Sequence, residues 1–150
     1  SAVPLPRPLF GSREPHFSFA GLKSAVQRAV MAGGHRPEDI AASFQQAVID
    51  CLIDRTRVAL RRSDAPTLVV AGGVAANQAI RAALADLARA AGRKFSVPPP
   101  WLCTDNAAMI AWAGAERFAA GLTDPLDAPA RARWPLDQAA DQVRGAGVKA

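Results

Sequence analysis

Two cysteines, two histidines and no tyrosine are spread over 150 residues, and each scarcity closes off a class of chemistry. Cys51 and Cys103 form no CxxC pair, so neither a disulfide framework nor a cysteine-rich zinc site can be assembled. Cys51 falls on the apolar stripe of a helix, which suits a buried free thiol in a reducing cytoplasm. His16 and His35 stand far apart, neither at ligand spacing from a partner, and read as surface or loop residues. No apolar run reaches bilayer-spanning length and no signal-peptide pattern opens the chain, so no membrane partner is expected. GxSxG, HExxH and Walker-type loops are missing, which argues against the hydrolases, metallopeptidases and P-loop enzymes that depend on them. Aromatic residues make up only 6%, so close packing of alanine-rich helices replaces an aromatic-rich core.

What is present bounds the answer further. The chain has the length of about one domain, enough to bury roughly two-thirds of its unfolded surface. Half of it is hydrophobic and its formal charge is +5, so an anionic partner, RNA included, is in keeping with its composition. The densest basic group is Arg55, Arg57, Arg61 and Arg62, which follows Asp50 and Asp54 on one helix. Spacings of three, four and seven let these charges pair along a solvated face. A phosphate-binding patch is the alternative.

The stretch Leu68-Val69-Val70-Ala71-Gly72-Gly73-Val74-Ala75-Ala76-Asn77 carries the most information. A β-branched run stops at two glycines, and an alanine-rich helical pattern begins just beyond them. A buried strand that hands its carboxyl end to a helix amino end meets unpaired N–H groups and a dipole that favours anions. Glycines there leave room for a ligand to approach the backbone. A nucleotide phosphate or ribose would fit, and a plain structural turn is the competing reading.

Around that stretch the pattern alternates strand and helix. Residues 1–8 are proline-rich and start no regular element, in keeping with a fragment entered mid-protein. Residues 17–19 alternate like a short strand, and 20–31 form a helix with Leu22, Val26 and Val30 on one face, closed by Gly33-Gly34. Pro37 begins a longer helix, with Glu38 and Asp39 suited to its first turn. Its main stripe is Ile40, Phe44, Ala47, Val48, Cys51, Leu52 and Ala59. Ile49, Ile53 and Leu60 make a second stripe, which predicts cover on two sides. A central strand is expected over 67–71 and a helix over 75–91, with Ile80, Leu84, Leu87 and Ala88 inward. A strand over 94–97 is closed by Pro98-Pro99-Pro100, and a last helix runs over 105–120, with Trp112 in the core. The rest reads as a tail with a weak helix at 136–143. The alternation predicts an α/β fold with partly parallel pairing.

The ends of the strands at 71 and 97 could set Asn77 and Asp105 on one rim, where α/β proteins bind ligands. Asn77 could hydrogen-bond a ribose hydroxyl or phosphate, or satisfy the local backbone. Asp105 reads as an N-cap, and its lone pairs also suit a metal. Lys23 could reach a phosphate, although a solvated lysine is the commoner fate.

Several blocks in unbroken order resemble the TsaD family, the old "glycoprotease" family. They are Leu5-Pro6-Arg7-Pro8-Leu9, Phe17-Ser18-Phe19-Ala20-Gly21-Leu22-Lys23, Asp39-Ile40-Ala41-Ala42-Ser43-Phe44-Gln45, Val70-Ala71-Gly72-Gly73-Val74-Ala75-Ala76-Asn77 and Cys103-Thr104-Asp105-Asn106-Ala107-Ala108-Met109-Ile110-Ala111. The resemblance implies part of one lobe of an actin-like, sugar-kinase-like (ASKHA) ATPase fold, a parallel or mixed sheet with flanking helices. Residues 1–121 would be the carboxyl-terminal α/β lobe, a little under half of the usual protein. Residues 122–150 would be a proline-rich tail wrapping the surface, its far end a candidate for disorder. The implied activity is transfer of the L-threonylcarbamoyl group from threonylcarbamoyl-AMP to N6 of the adenosine at position 37 of tRNAs reading codons that begin with A. In this resemblance Asn77, Gly72 and Gly73 bind the adenylate, and Asp105 is the carboxylate ligand of one divalent metal, Fe(2+) or else Zn(2+). Two histidine ligands would lie in an amino-terminal half with no counterpart here, and no catalytic acid or base is assigned. The implied partners are tRNA, TsaB-like and TsaE-like proteins, the implied location is cytoplasmic, and the isolated fragment is expected to be inactive. Two alternatives stand beside this, a non-catalytic TsaB-like partner and a small-molecule kinase lobe of the same superfamily. Asp105 and the intact GGVAAN run weigh against the first, and a phosphoryl-transfer assay separates the second.

Overall fold

The computed structural model describes residues 2–129 of the chain. Two compact units are present, Ser1–Ala107 and Ala108–Ala150. The first holds α1 (Ala20–Ala32), α2 (Pro37–Arg61), β1 (Thr67–Val69), α3 (Gln78–Ala90) and β2 (Lys94–Ser96). One-turn 3₁₀ segments, Gly73–Ala76 and Pro100–Leu102, follow the two strands. The result is a mixed α/β arrangement, with β1 and β2 parallel and in the register Thr67↔Lys94, Leu68↔Phe95, Val69↔Ser96. Because α3 connects the strands, both carboxyl ends leave from the same rim.

Local chemistry explains the elements. Pro37 occupies the first turn of α2, where its missing N–H costs nothing, and Glu38 and Asp39 face the positive helix end. Gly33 and Gly34, at φ +68° and +84°, end α1 in a conformation that side chains disfavour. α2 is covered on two sides as expected, but the division departs from the two stripes. Leu52 of the main stripe joins the second face, Val48 touches both clusters, and Phe44 is exposed. Ile40 and Ala47 pack with Leu22 of α1 and with Val3 and Leu5 of the opening arm. Ile49, Leu52, Ile53 and Leu60, together with Phe95 of β2, pack against Ile80, Leu84 and Leu87 of α3.

Several expectations are corrected. Residues 17–19 form no strand; Phe17 and Phe19 stack instead, with ring centroids 6.5 Å apart. β1 stops at Val69, and among the described residues it pairs with β2 alone. The helix after the glycines starts at Gln78, because the 3₁₀ turn and the extended Asn77 intervene. The opening arm, although irregular, contributes Val3 and Leu5 to the core.

The acid–arginine pairing along α2 is different too. Asp50 accepts from Arg7 at 2.9 Å, and Asp54 accepts the Gly11 N–H at 2.9 Å. Arg55 is 1% exposed and donates to the carbonyls of Ser12 and Glu14, both at 2.7 Å, while pairing with Asp54. Arg62 bonds Glu14 at 3.0 Å. The acids therefore clamp the arm along α2 rather than decorate one helix face.

In the second unit, α4 (Ala107–Ala119) ends at Gly121, φ +71°, where Leu122 N–H donates to the Arg117 carbonyl at 2.9 Å. Trp112 is exposed, not core. The helix expected at 136–143, Trp134 and most of 122–150 lie outside the described residues.

Candidate functional site

β1 extends one further ladder bond, Val70 N–H to the Ser96 carbonyl at 3.0 Å, before the chain turns at the glycines. Gly72 sits at φ +86°, ψ 172°, a region that is essentially glycine's own. Gly73 has no such requirement, yet a Cβ at either position would meet nothing within 4 Å. The backbone of the turn is thus open to an approaching ligand. The Ala75 N–H closes the turn on the Gly72 carbonyl at 2.9 Å, and the Asn77 N–H follows on the Val74 carbonyl at 3.1 Å.

Asn77 then caps α3. Its Oδ1 accepts the Ile80 N–H at 3.1 Å, and its Nδ2 donates to Gln45 Oε1 of α2 at 3.0 Å. The amide retains one further N–H and one further lone pair for a ligand. Both roles weighed for this residue are therefore sterically compatible. The free helix end expected at the glycines is taken up by this cap, so what the turn offers a ligand is its own backbone.

Arg81, one turn further along α3, binds both sides of the rim. Its Nε donates to the Ala75 carbonyl at 3.0 Å and its Nη1 to the Pro98 carbonyl at 3.1 Å. Its Nη2 lies 3.5 Å from Cys103 Sγ, and that buried thiol faces the Pro98 and Pro99 carbonyls at 3.6 Å. The glycine turn and the segment leading to Asp105 are joined through this guanidinium, and the two 3₁₀ turns pack together. Asp105 itself is exposed, with no hydrogen bond or ion pair among the described residues. Since α4 starts at Ala107, Asn106 precedes the helix and the cap position falls on it, leaving the Asp105 carboxylate outside.

Gly72, Gly73, Asn77 and the segment carrying Asp105 thus share one rim, while Lys23 stays exposed on α1 and His16 and His35 are exposed elsewhere. Three participants were not singled out from the sequence: Gln45, Arg81 and Cys103. Arg81 had a local signal, since it lies four residues after Asn77 and shares its helix face. Gln45 had none, because its partner is 32 residues away.

A metal fits these residues only in part. Among the described residues no group of three or more His, Cys, Asp or Glu side chains could hold an ion. A transition metal needs about three protein ligands, and one exposed carboxylate cannot retain it.

The profile of the TsaD family, tRNA N6-adenosine threonylcarbamoyltransferase, matches residues 1–112. The chain belongs to the TsaD family. A tRNA N6-adenosine threonylcarbamoyltransferase of Sphingopyxis alaskensis is 73% identical over 150 residues, covering 99% of this chain and 44% of that relative. Proteins of the same name from Novosphingobium aromaticivorans and Zymomonas mobilis are 69% and 62% identical, again over 99% of this chain and over 43% and 42% of their own lengths. This TsaD-family chain therefore spans less than half the length of the curated relatives it matches. The family match covers the opening arm, the glycine turn, Arg81 and Asp105 alike.

Proposed function

We propose that this chain is the carboxyl-terminal lobe of a tRNA threonylcarbamoyltransferase. In the full-length protein, N6 of the adenosine at position 37 attacks the carbamoyl carbonyl of threonylcarbamoyl-AMP. The bond to the phosphate oxygen breaks, AMP departs, and the proton lost from N6 passes to solvent. Gly72 and Gly73 accept the adenylate against open backbone, and the spare N–H of Asn77 holds its ribose or phosphate. Asp105 supplies one ligand to a divalent metal, iron or zinc, whose remaining ligands come from outside the described residues. The family match, combined with one rim that carries both the glycine turn and the Asp105 segment, supports this reading.

The wider assignment follows the same line. The parallel pair, flanked by helices and with one edge of β1 unpaired among the described residues, is in keeping with an actin-like lobe whose sheet continues. We assign that lobe to residues 1–121 and a surface tail to 122–150. No helix among the described residues is long and apolar enough to cross a membrane, in keeping with a cytoplasmic enzyme working with TsaB-like and TsaE-like partners.

The test uses full-length protein with both partners, threonylcarbamoyl-AMP and a tRNA substrate. Mass spectrometry of the digested tRNA should show threonylcarbamoyladenosine at position 37. Asp105→Ala should lose both turnover and bound metal. Wild-type turnover with unchanged metal content in that variant would remove Asp105 from the mechanism, and phosphoryl transfer to a small substrate would replace the reading altogether.

A further inference from the structure

The pairing of the charges on α2 leaves one arginine set without a hydrogen bond or ion pair among the described residues, although Arg57 lies near enough to Asp54 to favour its charged form. Asp50, Asp54 and Glu14 are engaged by Arg7, by Gly11 and Arg55, and by Arg62. The guanidiniums of Arg13, Arg57 and Arg61 are exposed and take part in no hydrogen bond or ion pair among the described residues. Arg57 and Arg61 lie one turn apart on the same face of α2, about 6 Å along its axis. Three clefts run beside them. One of about 550 Å³ is lined by Arg7, Phe10, Arg57 and the already paired carboxylates Asp50 and Asp54, and one of about 430 Å³ by Arg13, Arg55, Arg61, Arg62 and Asp54. A third of about 340 Å³ is lined by Arg57, Arg61 and Arg93. The first two share Asp54 and form a groove between the arm and α2, while the third lies between α2 and α3 and adjoins them through Arg57 and Arg61.

The wall of that groove is built rather than incidental. Buried Arg55 ties Ser12 and Glu14 down, and the Gly11 N–H is held by Asp54. Between Arg7, paired with Asp50, and the anchored Gly11, Leu9 adopts φ +61°, a left-handed conformation that a leucine enters only at a cost. The strained bend carries Phe10, which is 58% exposed beside Arg7 and Arg57. An exposed aromatic ring set among arginine forks suits unpaired bases and their phosphates. An acidic protein surface would use the charges and leave the ring without a purpose.

We propose that this groove between the arm and α2 binds the sugar-phosphate backbone of the tRNA away from the reacting adenosine. Arg13, Arg57 and Arg61 contact phosphates and Phe10 stacks on a base. The assignment rests on the threonylcarbamoyltransferase reading, which supplies the tRNA. Gln45 marks the site end of α2, and Arg57 and Arg61 follow it by twelve and sixteen residues, about 18–24 Å along the helix. The groove therefore lies apart from the adenylate site on the same helix.

The experiment measures tRNA binding by full-length protein at several salt concentrations, alongside AMP affinity and a thermal melt. Arg57→Gln/Arg61→Gln should weaken tRNA binding and lower the slope of log K against log salt by roughly 1.5, near 0.7–0.9 per lost phosphate contact. AMP affinity should stay unchanged, and Arg57→Lys/Arg61→Lys should keep most of the slope. Phe10→Ala should weaken tRNA binding with the slope intact. A wild-type protein that binds tRNA and a glutamine variant with the same affinity and slope would overturn the groove alone. So would an unchanged slope accompanied by weakened binding to a partner protein. A wild type that binds no tRNA would overturn the functional reading, and the groove with it.

Discussion

Asn77 is the residue where folding and binding can be separated by one atom. Asn77→Ala removes the cap on Ile80 N–H and the contact with Gln45. Cap loss costs about 1 kcal/mol, and the exposed amide pair adds about 0.5 kcal/mol, so the folding equilibrium should shift by about tenfold. Asn77→Asp behaves differently. Aspartate caps as well as asparagine, and its charge is favoured at a helix amino end by about 0.3–1 kcal/mol, which offsets the lost donor to Gln45. Its stability should remain within about 0.5 kcal/mol of wild type. Aspartate has no N–H to offer, however, and it sets a negative charge beside a phosphate. If the amide N–H holds the adenylate, AMP affinity should fall by at least about tenfold, the worth of one hydrogen bond to a charged group. Denaturant unfolding and calorimetric titration with AMP, both on full-length protein, read the two effects separately. An aspartate variant that binds AMP as tightly as wild type would refute the binding role. One as unstable as the alanine variant would refute the cap.

Other outcomes follow from the same rim and arm. Gly72→Ala should cost about 1–3 kcal/mol for its backbone conformation alone, whereas Gly73→Ala should leave the melting temperature near wild type and still weaken AMP binding. Equal AMP affinity in the Gly73 variant would make the turn a plain connection. Arg81→Ala should destabilise by about 2–4 kcal/mol and speed alkylation of Cys103, which is 3% exposed in the native state. Cys51, whose thiol burial pushes up, should remain slow; unchanged Cys103 reactivity would show that Arg81 does not join the two loops. Acid should release the arm. Burial raises the Asp54 carboxyl, but the Gly11 N–H and Arg55 outweigh it and hold it below the usual value, and the bond from Arg62 lowers Glu14. Depressed folded values mean that this stabilisation is complete above the unfolded range near pH 4 and is lost as pH falls through the folded values. Hydrogen exchange at Gly11 should be flat from pH 5 to 8 once corrected for intrinsic rates, and Asp54→Ala, which removes the acceptor, should expose it throughout; acid-insensitive protection would contradict the clamp.

Repeating and local features were legible in the residues themselves. The helices α1, α2 and α3, the stops at Gly33 and Gly121, the strand before Gly72 and the parallel return at Lys94 all depend on neighbours a few positions apart, although Val30, expected on the inner face of α1 with Leu22 and Val26, is exposed. The ordered blocks that mark the family are equally a property of the chain. Pairings across about 40 residues were not, and tertiary structure alone decided them. Arg55 reads as one more charge on a solvated helix until the arm lies over it. Asp50 and Asp54 bond Gln46 and Arg55 of their own helix and also Arg7 and Gly11, because a docked arm brings donors that helical spacing cannot reveal. The start of α3 moved to Gln78 because a side-chain cap and a 3₁₀ turn are settled by backbone geometry rather than by hydrophobic period. For the same reason Asp105 lies one residue outside the cap position of α4, so its carboxylate is not spent on the helix.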